Sequence, residues 1–138
     1  MVDIFSKEKR SQIMSKVSGK ETKPEILVRK LLFSKGFRYR KNVKSLPGNP
    51  DIVLPKYKTV IFVHGCFWHQ HEGCRKSIRP TTKIEFWNEK LDKNIVRDTT
   101  NVEHLTKAGW KVLTVWECQL KKKDIETLTQ EVISQIIQ

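Results

Sequence analysis

The stretch that most constrains this chain is TVIFVHGCFWHQHEGC, residues 59–74. Its first half is a continuous apolar run, whereas a strand with one wet face would alternate polar and apolar residues. A run of this kind belongs to a strand covered on both faces. Its second half sets two cysteines and three histidines at the end of that strand and directly beyond it. Any fold for this chain must therefore bury one strand deeply and open its end into a loop dense in metal-binding and proton-accepting groups.

The surrounding pattern fills in the elements. Residues 23–35 read as an amphipathic helix with Leu27, Val28, Leu31 and Leu32 on one side, a capping-box pair at Thr22 and Glu25, and Gly36 as its stop. Residues 37–40 can form a short strand, and LPGNP at 46–50 must be loop. DIVL at 51–54 and TVIFVH at 59–64 are expected strands joined by a tight PKYK turn. Apolar residues at 84, 87, 91, 95, 102 and 105 mark one stripe of a helix over 82–107. KVLTVWEC at 111–118 is a further strand, and 124–137 a closing helix. This order predicts an α/β fold with a mixed central sheet flanked by helices, in one domain spanning 1–138. Residues 1–20 read as an N-terminal arm or helix that contacts DNA.

Lysine and arginine number 27 against 15 aspartates and glutamates, a net charge of +12 in 138 residues. Such an excess fits a polyanionic partner, nucleic acid above all. No run is long enough to span a bilayer, and the N-terminus has no apolar segment of signal-peptide length. A cytoplasmic location is expected, where cysteines serve as thiols or metal ligands rather than in disulfides.

Cys66, His71 and Cys74 fall within nine residues, and Cys118 ends the last expected strand. A Cys3His set closes a tetrahedral zinc site and makes it structural. The alternatives are buried cysteines with solvent-facing histidines, or a Cys66–Cys74 disulfide. Asp51 opens one strand and His64 ends the next, so both can face one cleft. Phosphodiester cleavage needs a metal to neutralise charge and a base to activate water, and a carboxylate suits Mg2+. A loop cap is the simpler use of Asp51. Asp98 lies on the apolar stripe of the long helix, where a carboxylate needs a partner such as histidine unless it reaches solvent at the stripe's edge. Glu25 is accounted for by capping, and His104 should face solvent. Lys83, Lys90, Lys93, Asn94 and Arg97 crowd the long helix's polar side, as phosphate contacts or as a merely solvated face. Phe67 and Trp68 cannot both be buried on a metal-stapled loop, and apolar rings held out on a basic surface can wedge between base pairs. Trp87 is core or a third wedge. Trp110 and Trp116 read as core.

SLPGNPDIV, VIFVHGCFWHQHEGC, TKIEFWNEKLDKNIVRD and GWKVLTVWEC together resemble the very-short-patch repair (Vsr) endonucleases, along nearly the whole chain. The resemblance implies a restriction-endonuclease-like core and a bacterial, nucleoid-associated enzyme. Its reaction would be Mg2+-dependent nicking of duplex DNA 5′ of the thymine in a T:G mismatch left by 5-methylcytosine deamination. It implies Asp51 and the Val63 backbone carbonyl as magnesium ligands, and His69 as general base supported by Asp98. His64 and Glu25 become further active-site residues. Cys66, His71, Cys74 and Cys118 become zinc ligands, and Phe67, Trp68 and Trp87 intercalating residues. Lys93, Asn94 and Arg97 remain weaker DNA-binding candidates. A monomer is expected, coupled in function to a cytosine-5 methyltransferase and to mismatch-repair proteins. In one departure, the segment between His71 and Cys74 is one residue longer than is usual in the family. The alternative functions are a restriction-type endonuclease cutting matched sites on the same fold, and a non-catalytic zinc-stabilised DNA-binding module.

Overall fold

The computed structural model describes residues 23–138. The expected arm over 1–20 and Thr22 of the anticipated capping pair lie outside the described residues. Seven regular elements follow in order: α1 (Lys23–Ser34), β1 (Arg40–Lys41), β2 (Ile52–Leu54), β3 (Thr59–His64), α2 (Ile84–Lys107), β4 (Lys111–Trp116) and α3 (Ile125–Ile137). Single 3-10 turns lie at Pro55–Tyr57, Arg75–Ser77 and Glu117–Gln119.

The strands form one mixed sheet in the order β1-β2-β3-β4. β1–β2 and β2–β3 are antiparallel and β3–β4 is parallel. An antiparallel pair can close tightly, and the PKYK turn does so with Lys58 at φ 49° donating its N–H to Pro55 O. A parallel pair needs a long crossover. Residues 65–110 supply it, so the Cys/His loop and α2 belong to one connection.

β3 is covered on both faces, as its apolar run requires. Ile61 joins Ile52, Leu54 and Val115 against Val28 and Leu32 of α1 and Leu128, Val132 and Ile136 of α3. Val60 and Phe62 join Val53 on the other face against Leu105 of α2. Two helices below and one above make three layers. Each such side chain fully buried contributes about 1.5–3 kcal/mol. Helices α1 and α2 stop by the same device, a glycine in the left-handed region: Gly36 (φ 89°) and Gly109 (φ 91°). The residue after each glycine donates its N–H back to the helix, Phe37 to Leu32 O and Trp110 to Leu105 O. Among the described residues no helix is long and apolar enough to cross a membrane.

Four local expectations need correction. The strand expected at 37–40 forms at Arg40–Lys41 instead, because Phe37 turns into the core against Tyr57. The last strand ends at Trp116, and Cys118 lies in the turn after it. Helix α1 buries Glu25, Val28, Arg29 and Leu32 while Leu27 stays exposed, so its inward face is rotated and carries two charges. The stripe of α2 is buried only at Leu91 and Leu105, with Ile84, Ile95 and Val102 exposed. Length explains Ile84, at the N-terminal end of α2: 24 residues of helix run about 36 Å, whereas six residues of strand run about 20 Å. Helix α2 overhangs the sheet, and Ile95 and Val102 wall an open cleft beside His64 and His69.

Candidate active site and metal centre

The site forms where β2 begins and β3 and β4 end. Asp51 precedes β2, and its Oδ2 accepts the Val63 N–H at 2.7 Å. Within a strand the N–H and C=O of one residue point the same way, so the Val63 carbonyl faces the same side as Asp51. Continuing the β2–β3 register places Pro50 opposite Val63, and proline has no N–H to offer that carbonyl. Burial is the main cause that pushes the Asp51 carboxyl up to about 6, with Glu25 adding to it; the Val63 N–H, His69 and Arg29 pull the other way. Glu25 is 2% exposed and faces the Arg29 guanidinium at 3.4 Å. It is a buried acid near Asp51, which a solvent-exposed helix cap would not be.

His64 ends β3, and the loop after it folds back as a tight coil, with His69 N–H bonded to Gly65 O and His71 N–H to Cys66 O. This return lays the His69 ring on that of His64, centroids 3.7 Å apart and 5° between planes. From α2, Asp98 Oδ2 meets His69 Nδ1 at 2.6 Å. Burial, then the neighbouring His69, lowers His64 to about 4. His64, His69 and Asp98 converge closely enough to hold a metal ion themselves. Parallel stacked rings, however, send their in-plane nitrogen lone pairs side by side rather than toward one centre.

On the other side of the same loop, Cys66, His71, Cys74 and Cys118 bring one donor atom each to within 4.8 Å of one another. All three cysteines are free thiols, which removes the disulfide alternative in this structure. A tetrahedral zinc needs ligand atoms about 3.5–3.8 Å apart, and Cys118 Sγ lies 3.3 Å from His71 Nδ1. Burial pushes the Cys66 thiol up to about 12, whereas a hydrogen bond from the Lys76 backbone lowers Cys74. Two sulfurs and a ring nitrogen gathered around a buried thiol fit a soft divalent cation better than they fit one another. The two residues between His71 and Cys74 allow this convergence.

The loop that carries both clusters also carries two of the three candidate rings, Phe67 and Trp68. Phe67 lies 5.3 Å from Trp68 and 5.4 Å from Trp87, and Trp68 lies 5.9 Å from Trp87. Trp68 is 41% exposed, and Phe67 and Trp87 are half-buried. Of the basic-side candidates, Lys93 and Arg97 are exposed, with Lys93 paired to Glu89. Asn94, half-buried, donates its Nδ2 to Trp68 O at 3.0 Å and so ties α2 to the loop. His104 faces solvent.

A protein-family model described as DNA mismatch endonuclease Vsr matches residues 2–76. The chain belongs to the Vsr family of DNA mismatch endonucleases. It is 42% identical over 135 residues to the DNA mismatch endonuclease Vsr of Escherichia coli K12, covering 98% of this chain and 85% of that protein. It is 58% identical over 125 residues to the type II nicking enzyme V.NmeAIP of Neisseria meningitidis, covering 91% and 89%. Identity to the type II nicking enzyme V.XorIIP of Xanthomonas oryzae is 46% over 120 residues, covering 87% and 88%.

In this Vsr-family chain several residues join the site that sequence reasoning left elsewhere. Trp116, expected in the core, stacks on His71 at 4.2 Å and sets its edge against His64 at 5.3 Å. Glu117 Oε1 accepts the Cys66 N–H at 3.3 Å. Phe86 is 57% exposed and extends the ring cluster, 5.2 Å from Trp87. The EFW tripeptide was the available signal for Phe86. No signal marked Trp116, whose position follows from its register opposite His64.

Proposed function

We propose that the chain nicks one strand of duplex DNA 5′ of the thymine in a T:G mismatch arising from 5-methylcytosine deamination, by Mg2+-dependent phosphodiester hydrolysis, and so starts very-short-patch repair. The observation that carries this reading is the His69 ring. Asp98 holds its Nδ1 at 2.6 Å, while the residue before it, Trp68, stands out to solvent. A carboxylate only accepts, so Nδ1 carries the hydrogen and Nε2 keeps a free lone pair. His69 is then the general base that takes a proton from the attacking water, and Asp98 stabilises the imidazolium that results. His64, kept neutral, lies against it facing the same phosphate. Glu25 adds a second acid on the α1 side.

Asp51 Oδ1 and the Val63 carbonyl are hard oxygen donors that would hold magnesium, which when bound supplies charge neutralisation at the phosphate and the leaving oxygen. Cys66, His71, Cys74 and Cys118 would hold structural zinc. Phe67, Trp68 and Trp87 would enter the base stack, least costly to open at a mismatched pair, with Lys93, Asn94 and Arg97 on the backbone. The mixed sheet with helices on both faces fits a restriction-endonuclease-like core. The working unit is a single domain and a monomer in the bacterial cytoplasm, at the nucleoid. It is coupled in function to a cytosine-5 methyltransferase and to mismatch-repair proteins.

The test is nicking of a panel of duplexes of one sequence, matched or carrying each single mismatch. The T:G duplex should be cut on one strand only and only with Mg2+. Asp51→Ala and His69→Ala should each lose activity by about 10³-fold or more while keeping mismatch binding. Activity of both within tenfold of wild type, or efficient double-strand cutting of the matched duplex, contradicts the reading.

A further inference from the structure

Phe67 and Trp68 stand on a loop with little core beneath it, so something besides packing must hold them in place. The cysteine and histidine cluster grips that loop only at Cys66, His71 and Cys74. Two side chains hold the backbone between those anchors. Gln70 Nε2 donates to Phe67 O at 2.7 Å and to Ser77 O at 3.1 Å. Asn94 Nδ2, from α2, donates to Trp68 O at 3.0 Å. Gln70 itself sits at φ 52°, a region that a residue with a side chain occupies only when its surroundings hold it there.

Arg79 supplies that hold. Its Nε donates to Gln70 Oε1 at 3.0 Å, its Nη1 to Asn88 Oδ1 at 2.9 Å and its Nη2 to Asp92 Oδ1 at 2.7 Å. Arginine only donates, so the Gln70 amide must turn its oxygen to Arg79 and its two hydrogens to the loop carbonyls. Asn88 and Asp92 are one turn apart on α2, and Trp87 is next to Asn88. One planar group thus ties the loop that bears Phe67 and Trp68 to the helix that bears Trp87. Lysine, a point charge on a flexible stem, cannot reproduce a three-way fork. The Asp92 side chain is 62% exposed, and ion pairs that open to water contribute little to stability. What the fork fixes is geometry.

We propose that Arg79 is a positioning residue that sets the aromatic rings as one rigid wedge, and so sets discrimination between mismatched and matched DNA, independently of the metal cluster. Its functional part rests on the mismatch reading above.

The experiment compares Arg79→Met, Arg79→Lys and Asn94→Ala with wild type. All three should keep a full zinc complement, and the two Arg79 variants unchanged affinity for matched duplex. Their near-ultraviolet circular dichroism, which reports the ordering of the tryptophans in the free protein, should weaken. Fluorescence of 2-aminopurine placed beside the mismatch should no longer rise on binding. The kcat for the T:G duplex should fall by about 10–100-fold with little change in KM, and lysine should not rescue. Arg79→Met with a wild-type dichroism signal and kcat within threefold, loss of zinc in Arg79→Met, or full rescue by lysine would each overturn the proposal. Should Arg79→Met fail to fold, Asn88→Ala combined with Asp92→Asn removes two arms of the fork and is judged by the same measurements. If wild type itself neither unstacks nor nicks any mismatch, the mismatch reading fails, and the dichroism still decides whether Arg79 sets the wedge.

Discussion

Two imidazoles lie ring on ring at 3.7 Å in this site. Two positive charges so placed would repel, so the pair carries at most one. Burial and His69 lower His64 to about 4, so His64 is the ring held neutral; in the proposed mechanism the proton goes to His69, which Asp98 holds at 2.6 Å. Resonances of the His64 ring should therefore stay in the neutral form from pH 8 to 5 in an NMR titration, and a midpoint above about 5.5 would contradict this. The unfolded chain binds this proton near the ordinary histidine value of 6.5 and the folded chain only near 4, so this group costs stability as pH falls through that window. Asp98→Asn keeps the shape and removes the charge that supports an imidazolium. Nicking should drop by about 10²–10⁴-fold with mismatch binding within a few-fold, and activity near wild type would exclude Asp98 from that role. Asp98 was legible in the sequence because a carboxylate on an apolar stripe demands a partner. The burial of Glu25 was not, because its spacing from Thr22 already had a sufficient explanation in capping.

At the scale of elements, the loop from Gly65 to Cys74 is short of apolar anchors and depends on cross-links. Three of the four donors lie in it, and the fourth, Cys118, lies in the turn after β4. Cys118→Ser, or a strong chelator acting on wild type, should lower bound zinc below half an equivalent. The melting temperature should fall by at least about 5 °C and nicking should be lost. An unchanged melting temperature would show that the cluster holds no structural ion. Helices and strands were readable from periodicity, since burial repeats at 3.6 or 2 residues wherever an element packs along its length. The pattern misled where packing stops. Ile84 lies at the free end of α2, and Ile95 and Val102, between buried Leu91 and Leu105, face the open cleft. Register was not readable: nothing local distinguishes a core tryptophan from Trp116, which pairs with His64 across a parallel ladder.

For the molecule as a whole, charge governs how it meets DNA. With +12 on 138 residues, affinity for matched duplex should fall steeply with salt, by about 10³-fold or more between 50 and 200 mM if six or more phosphates are contacted. Filter binding or fluorescence anisotropy measures this, and a nearly flat dependence would remove the backbone-tracking role. The preference for a mismatch should survive the same increase, because a wedge works by stacking rather than by counter-ion release. The parallel pairing of β3 with β4 also reaches into how the protein is made. His64 emerges from the ribosome long before Trp116 and Cys118, so a nascent chain holds its base and its rings without the strand and the sulfur that fix them. A chain made only as far as residue 110 would lack the parallel partner of His64 and the fourth donor of the cysteine cluster.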